Sequence, residues 1–251
     1  MRESLVMPER KSGGGIRETL KTLVYAVAIA LVVRTFAFEP FNIPSGSMKP
    51  TLLVGDYLFV SKFAYGYSRY SLPLGLPLFS GRILGSLPER GDVVVLKLPS
   101  DNKTDYIKRV VGLPGDRIQV RDGVLHINGE PVQLEPVGQF DEDFDGRAVP
   151  VPMYEETLPN GKEHLVLDLT ASGSLDNTGV FEVPPGHVFA MGDNRDNSLD
   201  SRVENVGFIP VENLIGRAEL LFFSVDGSAS FWQPWTWPWG IRYERLFNLI
   251  R

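Results

Sequence analysis

The sequence predicts a mostly β protein in which a single N-terminal transmembrane helix precedes an extracytoplasmic antiparallel β domain with an inserted lobe. Three observations support this fold class. One uncharged apolar run lies near the N-terminus, short β-branched and aromatic runs recur from residue 57 onward, and an acidic block interrupts them. The expected parts are a cytoplasmic segment at 1–19, an anchor at 20–38, a β domain at 39–130 and 183–251, and an acidic lobe at 131–182.

The anchor is predicted from residues 23–33, which carry no charge and lie between Lys21 and Arg34. A bilayer span needs about 20 mostly apolar residues. Residues 20–38 reach that length if the two basic side chains extend toward opposite membrane surfaces. The core of a cleavable signal peptide and a buried core helix remain as alternatives. Basic residues before the run favour a cytoplasmic N-terminus and an external β domain.

The strands are predicted to be short and to be separated by glycines and prolines. An Asp-Gly dipeptide at 122–123 is a strong signal for a two-residue hairpin turn. Such a turn pairs Val120 with Leu125 and Ile118 with Ile127, on one face that we expect to be buried. Other runs that predict strands are 57–60, 92–98 and 188–191.

Two stretches differ in composition from the rest of the β domain. Residues 131–182 hold eleven acidic residues against Arg147 and Lys162, and are rich in glycine, proline and aspartate. This composition favours an inserted lobe with a solvated acidic surface over an ion site. The four tryptophans cluster at 232–239. They fit either a membrane interface or packing against the sheet.

Composition excludes several functional classes. The net charge of −6, without a clustered basic face, gives no support for a nucleic-acid partner. The absence of cysteine excludes disulfides, a cysteine nucleophile and thiolate metal sites. His126, His164 and His187 show no metal-ligand spacing. We therefore expect no nucleic acid, no metal and no cofactor.

The first candidate for chemistry lies directly after the anchor. Ser45 and Ser47 flank Gly46 in a segment bounded by Pro44 and Pro50. Glycine allows a substrate to approach the backbone closely, and a serine on a constrained loop is a possible nucleophile. Serine and glycine are also common in ordinary turns, so the motif alone leaves both interpretations open.

The second candidate is a lysine in a predicted strand. Strand alternation places Tyr106, Lys108 and Val110 on one face. If that face is buried, desolvation lowers the lysine pKa, and a neutral lysine can accept a proton from a serine hydroxyl. An ordinary surface lysine is the alternative.

The third candidate is the polar loop at 192–202, which follows an apolar strand and would support a site through its hydrogen bonds. A solvated turn is one alternative. A calcium loop is another, although the twelve-residue pattern with a closing glutamate is missing.

Taken together and in this order, the three segments resemble the bacterial type I signal peptidases. The matching stretches are 45–51, 91–95, 106–116 and 192–202, whereas 131–182 matches no motif of that family. The resemblance implies a membrane-bound serine endopeptidase, a hydrolase, that cleaves signal peptides from exported preproteins after small-x-small sites. The implied mechanism uses a Ser-Lys dyad.

The resemblance also implies residue roles. Ser47 is the expected nucleophile and Lys108 the expected general base. The Ser47 N–H and the Ser45 hydroxyl are the expected oxyanion hole. The expected supporting residues are Ser198, which would orient Lys108, the pair Asp200 and Arg202, and the pair Asp193 and Arg109. The expected substrate-binding residues are Phe41, Ile43, Pro44, Met48, Leu52, Tyr106 and Ile107.

The resemblance implies partners and a location as well. We expect signal peptides and the lipid bilayer as partners, close to the secretion translocon, with the catalytic domain on the periplasmic side of the inner membrane. Three other interpretations are kept open. They are a self-cleaving Ser-Lys regulator of the LexA type, a membrane-tethered scaffold without activity, and a Ser-His-Asp hydrolase that uses His187.

Overall fold

The structure is a computed structural model that describes residues 15–72, 75, 79–144, 146–170, 172–229 and 232–250. Its helices are α1 (Ile16–Phe36) and α2 (Trp237–Gly240). Its strands are β1 (Phe38–Asn42), β2 (Asp56–Ser61), β3 (Tyr67–Ser68), β4 (Arg82–Ile83), β5 (Val93–Lys97), β6 (Asp105–Gly112), β7 (Arg117–Arg121), β8 (Val124–Ile127), β9 (Glu130–Pro131), β10 (Gln133–Phe144), β11 (Arg147–Thr157), β12 (Glu163–Leu167), β13 (Phe181–Glu182), β14 (His187–Met191), β15 (Ile209–Pro210) and β16 (Leu214–Ser224).

Helix α1 stands apart from the β sheets and is exposed along almost its whole length. Within the described residues it is the one helix that is long and apolar enough to cross a membrane, with a mean hydropathy of 1.6. Such exposure does not fit a buried core helix. The helix ends at Phe36, two residues before the predicted end of the anchor. The reason is that Phe38 already pairs with Ser61 as the first residue of β1.

Seven strands form the main sheet, in the order β1-β2-β16-β5-β6-β14-β15. Every pairing in it is antiparallel, so the predicted mostly β, antiparallel fold is confirmed. The predicted strands at 57–60, 92–98 and 188–191 correspond to β2, β5 and β14. Apolar side chains from both faces of this sheet, among them Leu58, Val94 and Val110, are fully buried and form much of the core.

Strands β7 and β8 form the predicted hairpin. Val120 pairs with Leu125 and Ile118 pairs with Ile127, and all four side chains are buried. Positive φ at both turn residues, 47° and 78°, is the geometry that a two-residue type I′ turn requires. The predicted register is therefore confirmed.

The acidic region 131–182 contains a separate three-stranded sheet in the order β10-β11-β12. The end of β12 contacts the polar loop 192–202, because the Leu167 N–H donates to the Asp193 carbonyl and the Arg195 N–H donates to the Leu167 carbonyl, both over 2.9 Å. Glu142 and Glu156 differ from the expected solvated surface. Both are buried, and both lie within ion-pair distance of a basic side chain.

The tryptophans divide between the two expected environments. Trp232, Trp235 and Trp239 are 82%, 69% and 80% exposed. Trp237 instead packs against Phe223, with 5.0 Å between the ring centroids. The segment therefore combines one ring on the sheet with three rings that face outward.

Candidate active site

Ser47 and Lys108 meet at the centre of the main sheet. Lys108 lies on β6 opposite Val94 of β5, and its Nζ atom is 2.8 Å from the Ser47 Oγ atom. Both residues are buried, with exposed fractions of 4% for the lysine and 8% for the serine. Nζ also donates to the Ile107 carbonyl over 2.9 Å. The predicted nucleophile and the predicted base are thus within hydrogen-bond distance of each other and mostly buried.

The segment that carries Ser47 is held by backbone contacts. The Asn194 N–H donates to the Ser47 carbonyl over 3.1 Å, and the Asn194 side chain donates to the Gly46 carbonyl over 3.2 Å. Among the described residues, no acceptor receives the Ser47 N–H. That donor is free for a substrate oxygen. The Ser45 side chain is exposed, and Ser45 lines a cavity together with Ser47 and Lys108.

The environment of Lys108 favours its neutral form. The pKa of the Lys108 ammonium is lowered from 10.5 to about 8. Burial is the main cause and the nearby Arg202 charge acts in the same direction, while the charges of Asp200 and Asp193 oppose the shift. A pKa of about 8 leaves roughly a tenth of the lysine neutral at pH 7. Lys108 is therefore buried, as the expected proton transfer from a serine hydroxyl requires.

Arg109 follows Lys108 and points to the other face of β6. Its guanidinium donates to both carboxylate oxygens of Asp193, over 2.9 Å and 2.7 Å, and Thr51 donates to the same carboxylate over 2.6 Å. Burial opposes ionisation of Asp193, but the charge and hydrogen bonds of Arg109 together with those of His164 and Thr51 lower the Asp193 pKa. The structure therefore brings together the predicted pair Arg109 and Asp193.

Asp200 and Arg202 also lie together. The guanidinium donates to both Asp200 oxygens over 2.9 Å, and the Gly192 N–H donates to Asp200 over 3.0 Å. Burial opposes ionisation, yet hydrogen bonds from Arg202 lower the Asp200 pKa. A Cβ at Gly192 would lie 2.3 Å from Ser198 Oγ and 2.5 Å from the Ser47 carbonyl, so only glycine fits between them.

Ser198 sits beside the dyad without the expected contact. Its Oγ atom is buried and has no well-formed hydrogen bond within the described residues, and the partners of Lys108 Nζ are Ser47 and Ile107. Its place against Gly192 keeps it next to the nucleophile segment. The role of orienting Lys108 stays a prediction for Ser198.

Three buried residues behind the site were not predicted from the sequence. Arg195 pairs with Glu156 over 2.7 Å, and His164 Nε2 lies 3.3 Å from the same carboxylate. Burial opposes ionisation of Glu156, but the charges and hydrogen bonds of Arg195 and His164 together lower its pKa to about 2. Glu156 and His164 are direct partners across β11 and β12, which becomes visible only once the register of that hairpin is known.

An open cavity of about 620 Å³ lies beside the dyad. It is lined by five of the predicted substrate-binding residues, namely Phe41, Ile43, Pro44, Tyr106 and Ile107. Met48 and Leu52 do not line it. They are fully buried and pack with Ile43 in the core beneath it. The opposite wall contains residues that were not predicted: Ser174, Leu175, Asp196, Asn197, Leu199 and Val203.

The histidines lie outside this arrangement, whereas an acidic cluster reaches the cavity through Asp196. All three histidines belong to the described part of the chain, and none of them lines the cavity or contacts Ser47. Asp168, Asp176 and Asp196 place carboxylate oxygens within 4.8 Å of one another. Burial and the Asp196 charge raise the Asp168 pKa to about 6, so a proton can relieve the repulsion in this cluster.

Comparison with known proteins identifies the family. A family model described as "Signal peptidase, peptidase S26" matches residues 16–223. Signal peptidase I of Rickettsia typhi is 43% identical over 85% of this chain and 83% of its own length. Signal peptidase I of Rickettsia akari is 46% identical over 80% of this chain and 77% of its own. A solved signal peptidase I from Enterococcus faecalis is 23% identical and covers 53% of this chain and 97% of its own, with a TM-score of 0.31.

These matches decide the enzyme class. The family model spans most of the chain, and the two curated relatives each cover more than two thirds of it. The predicted class, a serine peptidase that cleaves signal peptides from preproteins, is confirmed. The family is associated with membranes, in agreement with the exposed apolar helix. The chain belongs to the signal peptidase family, peptidase S26.

Proposed function

We propose that Ser47 is the nucleophile and Lys108 the general base with which this chain hydrolyses the peptide bond at the end of a signal peptide. The observation that carries the proposal is the 2.8 Å contact between Ser47 Oγ and a buried lysine amine whose pKa is lowered to about 8. A hydroxyl is a weak nucleophile until a neighbouring base accepts its proton. Lys108 is the basic side chain in contact with Ser47.

Acylation follows from that contact. Neutral Lys108 accepts the Ser47 proton as Oγ attacks the scissile carbonyl carbon and forms a tetrahedral intermediate. The unpartnered Ser47 N–H, with the Ser45 hydroxyl, donates to the oxyanion that develops. The intermediate then collapses, the C–N bond breaks, and the Lys108 ammonium gives its proton to the leaving amine. The signal peptide remains bound to Ser47 as an ester.

Deacylation repeats the cycle with water. Neutral Lys108 takes a proton from a water molecule as the water oxygen attacks the ester carbonyl. Collapse of the second tetrahedral intermediate breaks the bond to Ser47 Oγ, and the Lys108 ammonium returns a proton to Oγ. The Asp200–Arg202 and Asp193–Arg109 pairs fix the loop that holds the Ser47 and Gly46 carbonyls through Asn194.

The free edge of β6 supports binding of the substrate as an added strand. Within the described part of the chain, strand β14 pairs with β6 only at residues 109–112. Residues 105–108 of β6 therefore have no neighbouring strand on that side, and they line the cavity. An extended peptide can bond to such an edge. Ile43 lines the cavity and is supported from beneath by the buried side chains of Met48 and Leu52, and we expect this apolar surface to select small side chains on the substrate.

The location follows from the anchor. Helix α1 crosses the inner membrane once, with the N-terminus in the cytoplasm and the catalytic domain on the periplasmic side near the translocon. Trp232, Trp235 and Trp239 face outward and suit the lipid interface. Protease added outside spheroplasts should therefore digest the β domain, whereas a protected β domain would reverse the proposed topology.

The dyad is tested by cleavage of a preprotein with an Ala-x-Ala site, in detergent and with EDTA as a control. We expect Ser47→Ala and Lys108→Ala to lose at least about 1000-fold in kcat/KM while they remain folded. For the wild type we expect kcat/KM to rise about tenfold per pH unit and to level near pH 8, because only neutral Lys108 acts as a base.

Two matched controls accompany the dyad variants. Lys162→Ala removes a lysine that is paired with Glu89 and Asp92 and does not line the active-site cavity, and it should retain activity. His187→Ala tests the Ser-His-Asp alternative. Full activity of Lys108→Ala, or a large loss from His187→Ala, would contradict the proposed base. A wild type that is inactive at every pH would argue for a scaffold without activity.

A further inference from the structure

A second cavity, of about 920 Å³, lies between the end of helix α1 and the active-site cleft. Leu31, Arg34 and Thr35 line it from the last turns of the helix. Phe41 and Asp105 line both this cavity and the active-site cavity. The second cavity therefore lies at the level where the anchor ends, next to the cleft. We call it the anchor cavity.

The walls of the anchor cavity carry more positive than negative charge. Five basic side chains line it, namely Arg34, Lys62, Arg69, Lys97 and Lys103, against three acidic ones, Glu39, Asp101 and Asp105. This surplus is local, since the chain as a whole carries a net charge of −6. A concave site with one sign of charge attracts ligands of the opposite sign.

The three carboxylates already have partners on the protein. Glu39 bonds to Lys62 over 2.7 Å and to Arg34 over 2.9 Å. Asp105 pairs with Lys97 over 2.7 Å. Asp101 accepts from the Thr104 hydroxyl and from two backbone amides of its own turn. None of these three carboxylates forms an ion pair with Arg69 or Lys103.

Two basic residues in the anchor cavity keep unused donors. Arg69 lies over the Tyr70 ring and one of its terminal nitrogens donates to the Tyr70 hydroxyl, but its Nε atom is buried and without a hydrogen bond, with the Glu212 carboxylate at the long ion-pair distance of 3.9 Å. Lys103 is exposed, and its Nζ atom has no hydrogen-bond or ion-pair partner within the part of the chain that the structure describes, so its charge is available to a ligand without being a buried donor. A buried donor without a partner is costly, which indicates an acceptor that comes from outside the protein.

We infer that the anchor cavity binds the phosphate of an anionic lipid headgroup. The inference rests on the proposed function, because it needs α1 in the bilayer. Where a span ends, side chains meet the phosphate layer of the membrane, and arginine and lysine bond phosphate oxygens strongly. The lipid tail would lie along α1 near Leu31. Headgroup binding next to Phe41 and Asp105 would tie the cleft to the membrane surface.

The test uses the full chain in neutral detergent and a fluorescently tailed phosphatidylglycerol, with phosphatidylcholine of the same tail as the uncharged comparison. Anisotropy should show roughly 5- to 25-fold tighter binding of phosphatidylglycerol, since each basic group near a membrane contributes about fivefold. The double variant Arg69→Gln and Lys103→Gln should lose that preference. Arg121→Gln, an exposed arginine in another sheet that bonds Gln119, should keep it.

Each other outcome overturns the inference. Equal binding of the two lipids by the wild type removes the site. Displacement of phosphatidylglycerol by millimolar inorganic phosphate assigns the cavity to a soluble phosphate instead. A raised KM for the preprotein in the double variant, with lipid preference unchanged, assigns the cavity to the upstream part of the signal peptide.

Cleavage of the preprotein in the same preparations separates this inference from the proposed function. An active wild type without lipid preference contradicts the lipid site alone, whereas an inactive wild type contradicts the dyad. Thermal unfolding checks that the double variant is folded.

Discussion

The two faces of strand β6 carry neighbouring basic side chains that are equally buried but have different partners. Lys108 and Arg109 are both almost fully buried, with exposed fractions of 4% and 1%. Lys108 contacts a hydroxyl and a carbonyl, and burial lowers its pKa to about 8. Arg109 contacts both oxygens of the Asp193 carboxylate and stays paired as a charged group. Equal burial thus accompanies the proposed general base on one face and a structural ion pair on the other.

The difference teaches that the partner, together with the side-chain type, decides what a buried cation does. Desolvation disfavours charge on both faces. Only the Arg109 face has a carboxylate in direct contact. The charges of Asp193 and Asp200 act on Lys108 without contacting it, and they offset part of the decrease in the Lys108 pKa that burial causes. A guanidinium also keeps its proton in any protein environment, while an ammonium can lose it. The proposed role of Lys108 as a base therefore requires that no carboxylate contacts its amine.

Placing an arginine on both faces of β6 should reduce activity more than the other changes considered below. Lys108→Arg keeps the positive charge and cannot act as a base, so we expect kcat/KM to fall at least about 1000-fold. The reverse exchange, Arg109→Lys, keeps a cation beside Asp193 and should cost less than about tenfold. Both are measured on the Ala-x-Ala preprotein at pH 8. Substantial activity of Lys108→Arg would show that the side chain at 108 need not lose its proton.

Removing the carboxylate from the paired face should mainly affect stability. Asp193→Asn leaves Arg109 buried without its counter-ion, and breaking such a pair costs about 3–5 kcal/mol in the free energy of unfolding. Glu182→Gln is the control, because it breaks an exposed pair with Arg117 and should cost under about 1 kcal/mol. Urea unfolding in detergent measures both. Equal losses for the two variants would mean that burial does not distinguish these pairs.

The sequence was most informative where the pattern is local. Strand alternation put Lys108 and Arg109 on opposite faces, and the Asp-Gly turn fixed the pairing of Val120 with Leu125. Both depend on residues a few positions apart, where backbone geometry leaves little choice. The family resemblance then brought Ser47 next to Lys108, a contact between distant segments that periodicity cannot supply.

Contacts between distant elements without a motif could not be predicted. Glu156 and Arg195 meet only because the β10–β12 sheet folds back onto the polar loop, and the acidic composition of that region suggested solvent exposure instead. Met48 and Leu52 were expected in the cleft but lie beneath it, since apolar character alone does not distinguish a lining residue from the core. Ser198 is adjacent to the dyad, but its hydroxyl orientation depends on packing around Gly192.

The smallest expected effect is on the free energy of unfolding, because a buried lysine with a lowered pKa destabilises the folded state. The folded pKa of Lys108 is about 8 and the ordinary value is 10.5, so the cost is fully present below pH 8 and disappears as the pH rises through 10.5. Lys108→Met should remove up to roughly 3 kcal/mol of destabilisation at pH 7, less about 1 kcal/mol for the lost bond to Ser47.

The variant should therefore be inactive and yet have a higher Tm than the wild type at pH 7, with a smaller advantage at pH 9.5. Lys162→Met is the control of opposite sign. Although burial acts against it, hydrogen bonds and charge from Asp92 and Glu89 raise the Lys162 pKa, so its removal should lower the Tm. A Lys108→Met protein that is less stable than the wild type at both pH values would mean that the buried amine stabilises the fold. The two faces of β6 would then differ in geometry alone, and the link between an unpaired buried lysine and catalysis would lose its energetic basis.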